Sequence, residues 1–571
     1  MRQISYRLWL LAAVSGLLQV VPFPIAGPVP HWRSGLVFFV LVPLLVALLG
    51  CDRDDQPLNW RQTAALGYVS GVIWYLGNCY WIYPTMHIYG GLARPVAFGI
   101  LILFCLYLGI YHALFGLLVG LVRGSRVRAA GAIVVAPFLW VGVELARARI
   151  TGFPWDLLGT AQVNNFLLTQ IAPFTGCYGM SFFIVLVNAH IAAYFVFRNR
   201  GVRLQSLAVG LLLALFIVVG GWHVHRFMPL VANPEQTATL LQENLEVGAQ
   251  ADGLSLSSGY PTVDAMYDGF EQLSLHPTDP FTERRAAGLI GPVRLIVWPE
   301  SPAPFEAGEP RFQKQLSTLA ATAQVPVIAG AIGLDRDVTR PRGYKIFNSA
   351  TFFNADGSNG GRYDKIHLVP WGEYVPFKQL FFFASNLTQG VGDFDPGTTR
   401  NIFRSGGHTY GTFICYESVF PDEIRQFALN GAEVLVNISN DGWYGDTGAP
   451  WQHLNMVRMR AIENHRWILR ATNTGITTAI DPYGRIRERA PRHVRAAIDV
   501  GFNYETELTF YTRHGDWFAW TCAGITILLA IFAMLRIYQP KVPERQAMTS
   551  RWKVQASGRR AAMRDKSPPQ A

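Results

Sequence analysis

The stretch Gly411-Thr-Phe-Ile-Cys-Tyr-Glu-Ser418 contains the only cysteine between Tyr178 and Thr521. An apolar strand that ends at Cys415 and is followed by polar residues places a thiol at a strand tip. The other five cysteines lie in or beside apolar segments, which leaves Cys415 without a disulfide partner. Such a thiol is either a small buried apolar group or a reactive one.

Two further stretches favour the reactive interpretation. Leu295-Ile-Val-Trp-Pro-Glu300 is an apolar strand that delivers a carboxylate at its end. Tyr363-Asp-Lys-Ile-His-Leu-Val-Pro-Trp-Gly-Glu-Tyr374 carries Lys365 and Glu373. Acyl transfer through a thioester needs a thiol, a proton acceptor and donors for the oxyanion, and these stretches supply such groups.

We therefore predict a role for each residue of the site. Cys415 is the nucleophile, Glu300 is the general base and acid, and Lys365 stabilises the thiolate and the oxyanion. The backbone N–H of Tyr416 is a second oxyanion donor. Two supporting carboxylates orient Lys365 and balance the charge, namely Glu373 and Glu417.

Composition places this site in an unusual chain. Of its 571 residues 50% are hydrophobic and 15% are charged, which is too apolar for a purely soluble enzyme. The apolar residues crowd before residue 225 and after Trp517. The net charge of +10 comes mostly from arginines beside apolar stretches and from a basic tail, so it indicates membrane topology rather than nucleic-acid binding.

Eight stretches are candidates to cross a bilayer, since each spans about 20 mainly apolar residues. They lie near 7–24, 35–50, 63–83, 96–121, 129–146, 178–197, 204–222 and 517–537. We predict four segments: a membrane bundle at 1–225, a catalytic polar domain at 235–505, a final span at 517–537 and a basic, disordered cytoplasmic tail at 541–571.

Arginine placement in short loops puts both termini in the cytoplasm and the polar domain outside it. Arg147 and Arg149 lie on the wrong side for this rule. They precede the loop Thr151-Gly-Phe-Pro-Trp-Asp-Leu-Leu-Gly159. This loop is either a re-entrant turn with an interfacial tryptophan anchor or part of a lipid entrance.

The polar domain alternates strand and helix patterns, which predicts an α/β sandwich. Strands are predicted at 236–243, 293–298, 326–332, 346–354, 409–415, 433–438, 467–472 and 475–480. Helices are predicted near 262–275, 310–323, 421–430 and 450–464. No zinc-protease helix, Walker loop or serine-hydrolase elbow occurs, so we expect neither a metal nor a cofactor.

The order of Glu300, Lys365 and Cys415 resembles the nitrilase (carbon–nitrogen hydrolase) superfamily, whose fold is an αββα sandwich. Such a domain inserted between a bundle of about seven membrane spans and a last span, about eight spans in all, resembles the apolipoprotein N-acyltransferase family. The resemblance covers about residues 5–540. Its most specific segments are Trp298–Ser301, Asp364–Pro376, Cys415–Glu417 and Asn440-Asp-Gly-Trp-Tyr-Gly445.

The resemblance implies a ping-pong reaction in the bacterial inner membrane, with the polar domain on the periplasmic side. Cys415 would take an acyl chain from a phospholipid, typically phosphatidylethanolamine. The thioester would then acylate the amino group of a diacylglyceryl-cysteine at the N-terminus of an apolipoprotein. We expect a monomer that binds no nucleic acid. One departure is the extended segment 244–290, which lacks the family's aromatic residues in 244–259.

Two alternatives remain. A membrane-anchored amidase would use the same three residues to hydrolyse small amides, with water as the second nucleophile, but would not need eight spans. A degenerate binding scaffold would have lost a member of the set, and all three residues are present.

Overall fold

The computed structural model describes residues 3–52, 56–123, 129–227, 234–247, 260, 262–277, 291–300, 305–340, 343–370, 372–374 and 394–538. The tail at 541–571, for which disorder is predicted, lies outside the described residues. So does most of the extended segment 244–290.

The described residues before 228 are mainly helical. Its α-helices are Tyr6–Val20, His31–Gly35, Val42–Leu48, Trp60–Asn78, Ile82–Pro84, Arg94–Arg123, Ala129–Ala146, Ala172–Thr175, Cys177–Val196 and Arg200–Phe227. Turns of 3-10 or π geometry occur at Leu36–Phe38, Thr85–Tyr89, Arg147–Thr151, Leu158–Gln162 and Leu168–Ile171.

Six segments of the described residues are long and apolar enough to cross a membrane. They are His31–Leu48, Arg94–Arg123, Ala130–Thr151, Cys177–Val196, Arg200–Val224 and Trp517–Arg536. Helices also stand at the two other predicted positions, but Tyr6–Val20 has only 15 residues and Trp60–Asn78 is not among the six. The predicted number of eight spans is therefore not confirmed.

Small residues bring two of these helices into backbone contact. A methyl group on Gly67 would lie 2.2 Å from the carbonyl oxygen of His112, and one on Gly116 would lie 2.3 Å from that of Thr63. Helices Trp60–Asn78 and Arg94–Arg123 therefore pack as closely as glycine permits. Lipid chains are as apolar as side chains, so close packing rather than a hydrophobic drive holds such helices together.

In the polar domain, the described residues form two six-stranded sheets. The first has the order β12-β1-β2-β3-β4-β5 and the second β11-β10-β9-β8-β7-β6. The strands are β1 Gln236–Gln242, β2 Val293–Val297, β3 Val327–Arg336, β4 Tyr344–Phe353, β5 Asn359–Asp364, β6 Ile402–Ser405, β7 His408–Ile414, β8 Val434–Ser439, β9 Ile468–Thr472, β10 Thr478–Ile480, β11 Ile486–Arg489 and β12 Ala496–Phe502.

Both sheets have a parallel centre and antiparallel edges. Strands β1, β2 and β3 are parallel in one sheet, and β7, β8 and β9 in the other. Their inner faces share one apolar core that includes Leu240, Val297, Phe413 and Val436. Helices Val263–Leu275 and Pro310–Ala323 pack on the first sheet. Helices Pro421–Leu429 and Ala449–Asn464 pack on the second sheet. The domain is therefore the predicted αββα sandwich.

All eight predicted strands and four predicted helices are present, with ends shifted by up to four residues. The pattern missed β5, β6, β11 and β12. Three of these, β5, β6 and β11, are edge strands of four to six residues with exposed or half-buried positions, which gives a weak alternating signal.

The loop at 151–159 lies between the membrane bundle and the polar domain. Trp155 is only 1% exposed, and its indole nitrogen donates to Gln452 Oε1 at 2.8 Å. The tryptophan is therefore buried against the polar domain. The interpretation of Trp155 as an interfacial anchor is therefore wrong, and the part of the loop in a lipid entrance stays a prediction.

Arg147 and Arg149, the two arginines that do not fit the predicted topology, form polar contacts near this boundary. Arg147 is buried and donates to the carbonyl oxygen of Trp155 at 2.8 Å. Arg149 pairs with Asp516 at 2.6 Å and with Asp422 at 3.2 Å. Arg149 therefore links the membrane bundle to the polar domain through Asp422, whereas Arg147 holds the loop at 151–159 within the bundle.

Candidate active site

Cys415 lies at the carboxyl end of β7, as its position in the sequence predicts. It is the first residue of a 3-10 turn, Cys415–Val419, and it is 6% exposed. Its φ of 49° is in the left-handed region, which non-glycine residues rarely adopt. Such a conformation costs about 1–3 kcal/mol and persists only where the surroundings hold it, most often at functional sites.

Glu300 and Lys365 come from the other sheet. Glu300 follows β2 and Lys365 follows β5, and the ammonium nitrogen lies 3.3 Å from Glu300 Oε1. The same nitrogen lies 2.9 Å from Glu373 Oε1. All three side chains are at least nine-tenths buried. The structure therefore brings together the predicted carboxylates and cation, and both carboxylates act on one ammonium group.

Asn348 is the residue of this cluster that sequence reasoning missed. Its amide nitrogen donates to Glu300 Oε1 at 2.8 Å and to Glu373 Oε1 at 2.7 Å. Its backbone carbonyl oxygen accepts a hydrogen bond from the backbone N–H of Lys365 at 2.8 Å. A buried polar residue within the apolar strand β4 was the available signal, because such a side chain needs partners.

Backbone N–H groups also donate hydrogen bonds to the carboxylates of Glu300 and Glu373. Asn440 N–H donates to Glu300 Oε2 at 2.7 Å, and Val369 N–H donates to Glu373 Oε2 at 2.7 Å. These donors offset part of the negative charge that a single ammonium group leaves uncompensated. Each carboxylate therefore has a fixed orientation.

Glu417 contacts both the end of β7 and the stretch that carries Lys365. It accepts hydrogen bonds from Tyr363 Oη and Ile366 N, each at 2.7 Å, and from Ile414 N at 2.7 Å. The carboxylate thus ties the end of β7 to the backbone beside Lys365, rather than bonding to the ammonium group itself. Tyr416 follows Cys415 directly, and its hydroxyl donates to the carbonyl oxygen of Gly152 at 2.9 Å.

Electrostatics keep the cysteine protonated and the lysine charged. Burial raises the pKa of the Cys415 thiol well above its ordinary value, Glu300 adds to the rise, and Lys365 opposes it. Burial alone would lower the pKa of Lys365, but Glu373 and Glu300 outweigh it and raise that pKa. Lys365 therefore favours the thiolate, as predicted for its charge, but this effect does not outweigh burial, because two carboxylates already share that charge.

Alkylation of Cys415 by iodoacetamide is expected to accelerate about tenfold per pH unit between roughly pH 7 and 9, without a plateau. Below the raised pKa, each unit increases the thiolate fraction about tenfold. Peptide mass spectrometry of the full chain in detergent measures the rate, with a free thiol peptide as reference. A plateau near neutral pH would contradict the protonated thiol.

Each half of the chain matches a known protein family. The family model of the carbon-nitrogen hydrolases matches residues 248–501, and that of the apolipoprotein N-acyltransferase N-terminal domain matches residues 15–190. A solved Saccharomyces cerevisiae protein, a member of branch 10 of the nitrilase superfamily, is 18% identical. It covers 49% of this chain and 94% of its own, with a TM-score of 0.34.

Relatives of full length are also found. An apolipoprotein N-acyltransferase of Bordetella bronchiseptica is 29% identical over 93% of this chain and 97% of its own. One of Geobacter metallireducens is 36% identical over 540 residues, 93% of this chain and 96% of its own. By this identity over almost the whole of both chains, the protein belongs to the apolipoprotein N-acyltransferases.

Proposed function

We propose that the chain moves an acyl group from a phospholipid, through a thioester on Cys415, to the N-terminal amino group of a diacylglyceryl-cysteine on an apolipoprotein. The family supports the acyltransferase activity and the lipoprotein acceptor. The observation that carries the assignment of residues is the buried cluster of Glu300, Lys365 and Glu373 beside the strained turn of Cys415.

In the first half-reaction the Cys415 sulfur attacks the ester carbonyl carbon of the phospholipid, and Glu300 takes the thiol proton as the bond forms. Because the thiol is protonated at rest, the transfer has to accompany attack. Protonated Glu300 holds Lys365 less strongly, so the ammonium charge becomes available to the oxyanion as it develops. Tyr416 N–H is the second oxyanion donor. The tetrahedral adduct then expels the lysophospholipid oxygen, which takes the proton back from Glu300.

In the second half-reaction the α-amine of the acceptor attacks the thioester carbonyl. Glu300 removes a proton from the amine nitrogen, and the adduct collapses with loss of the Cys415 sulfur, which leaves as a reprotonated thiol. An amide has formed, a thioester has broken, and the site has returned to its starting charge. Glu373 keeps Lys365 paired throughout, because that contact does not involve the proton that moves.

The membrane bundle of residues 1–225 would allow both lipid substrates to reach the active site from the bilayer. The chain is a bacterial membrane protein. Helices such as Arg200–Val224 expose large apolar side chains over much of their length, among them Leu212, Leu215 and Phe216. We propose phosphatidylethanolamine as the donor and a monomer as the working unit.

Covalent labelling tests the proposal. Full-length protein in detergent is incubated with phosphatidylethanolamine that carries a tagged acyl chain. A hydroxylamine-labile tag on Cys415 is expected, and adding a diacylglyceryl-cysteine peptide is expected to move the tag to the peptide as an amide. Loss of the tag to water alone would favour the amidase. Absence of a tag on folded protein would reject the donor or the thioester.

The proposal also places the polar domain of residues 235–505 in the periplasm and both termini in the cytoplasm. In intact spheroplasts, a membrane-impermeant maleimide is expected to label an Asp356→Cys variant and not an Asn199→Cys variant. Both positions are exposed, one in the polar domain and one between helices Cys177–Val196 and Arg200–Phe227. Lysed membranes should label both, and the reverse pattern in spheroplasts would reject this orientation.

A further inference from the structure

His453 lies beneath the turn that carries Cys415, on the helix Ala449–Asn464, and it is fully buried. Its Nε2 is 3.1 Å from the carbonyl oxygen of Cys415 and 2.7 Å from Ser418 Oγ. The imidazole thus contacts the backbone of the proposed nucleophile and a side chain three residues later. It touches the turn at two points.

The other ring nitrogen is held by a buried charged pair. His453 Nδ1 is 2.9 Å from Asp441 Oδ1, and Arg470 Nη2 is 2.6 Å from Asp441 Oδ2. Burial alone would raise the pKa of Asp441, but Arg470 and His453 outweigh it and lower that pKa below its usual range. Asp441 is therefore an anion that accepts a hydrogen bond from Nδ1–H, and the ring carries a proton on both nitrogens when Nε2–H also donates to the Cys415 carbonyl oxygen.

The flat face of the imidazole is covered by the membrane bundle. Trp155 stacks on it with ring centroids 5.8 Å apart and an interplanar angle of 16°. A second contact runs between the same loop and the turn, since Tyr416 Oη donates to the carbonyl oxygen of Gly152. The loop at 151–159 therefore reaches the nucleophile's turn directly through Tyr416 and indirectly through His453.

We propose that His453 is a positioning residue that holds the Cys415 carbonyl, and with it the direction of the thiol, and that Trp155 of the membrane bundle holds His453 in place. The left-handed backbone of Cys415 supports this, because a strained residue keeps its geometry only where its neighbours restrain it. The inference rests on the proposed function and adds to it that the membrane bundle completes the active site.

The test is the single-turnover rate of thioester formation on Cys415 in the full-length protein, measured at several concentrations of tagged phosphatidylethanolamine. His453→Phe keeps a ring for Trp155 to stack on and removes both nitrogens. Its rate is expected to fall about 100-fold, the loss that a small misplacement of a reacting group causes, with the half-saturating lipid concentration unchanged. His453→Gln retains an amide N–H near the position of Nε2 and is expected to recover to within about tenfold of the original rate.

The matched control is His408→Phe, at the other end of β7. His408 also stacks on an aromatic ring, that of Tyr504, and pairs with Glu433, but it is 41% exposed. This variant is expected to react within about twofold of the unaltered chain.

Three results would overturn the inference. The first is an unchanged rate of thioester formation in folded His453→Phe. The second is a rate in folded His453→Gln that is also about 100-fold below normal. The third is a change in His453→Phe that affects only the half-saturating lipid concentration and not the rate. Should His453→Phe not fold, the glutamine variant decides alone. A missing thioester in the unaltered protein would instead reject the proposed function, so the two failures are distinguishable.

Discussion

Cys415→Ala is expected to abolish both the thioester and the transfer to a diacylglyceryl peptide, with a loss of at least about a thousandfold. Alanine removes the sulfur to which the acyl group would be attached, and no other described cysteine adjoins Glu300 and Lys365. Stability is expected to change by no more than about 1 kcal/mol, because only one small buried atom is lost. Mass spectrometry of the labelled chain and thermal unfolding in detergent measure the two effects.

Cys105→Ala is the matched control for this variant. Cys105 is as buried as Cys415 but lies within the helix Arg94–Arg123, and its removal is expected to leave the activity intact. Acylation of a diacylglyceryl peptide by folded Cys415→Ala would show that the thiol is not the nucleophile.

Lys365→Met is expected to abolish thioester formation and to lower the free energy of unfolding by about 3–5 kcal/mol. The substitution removes the ammonium group that lies between two buried carboxylates, Glu300 and Glu373, and leaves them facing each other across Asn348. A buried charge that has lost its partner is strongly destabilising. Thermal unfolding and single-turnover labelling of the same sample measure both losses.

Two further variants distinguish the effect of Lys365 on stability from its effect on thioester formation. The double variant Lys365→Met with Glu373→Gln removes one negative charge as well, so it is expected to regain most of the stability and none of the thioester. Lys345→Met is the surface control, since Lys345 is 44% exposed and its nitrogen is 3.8 Å from Asp337 Oδ2. It is expected to change stability by less than about 0.5 kcal/mol. Normal thioester formation by either Lys365 variant would contradict the role of this residue.

Much of the architecture could be predicted from local patterns. The helices of the polar domain and the strands that end at Glu300 and Cys415 have strong periodicity, because each has one face in a shared core. Edge strands such as β5 and β6 are short and each buries only one residue in that core, so they escaped prediction. The predicted count of eight spans stays a prediction, since six described segments are long and apolar enough to cross a membrane and Trp60–Asn78 is not among them.

The candidate site shows the same division. Glu300, Lys365 and Cys415 lie within three residues of the carboxyl ends of β2, β5 and β7, and their order in the chain is what predicts them as a set. The protonation of Cys415 could not be predicted in this way. It depends on how deeply the thiol is buried and on how fully Lys365 is already paired, and both are properties of packing.

The sequence by itself determined the chemistry and the two-part architecture, because reactive residue types at strand ends and long apolar runs are local signals. Only the tertiary structure decided how the parts cooperate. Asn348, His453 and Trp155 carry no motif of their own, and they come from a strand, a helix and a membrane loop that are distant in the chain. Their positions depend on how the sheets and the membrane bundle pack together, which no short stretch of sequence specifies.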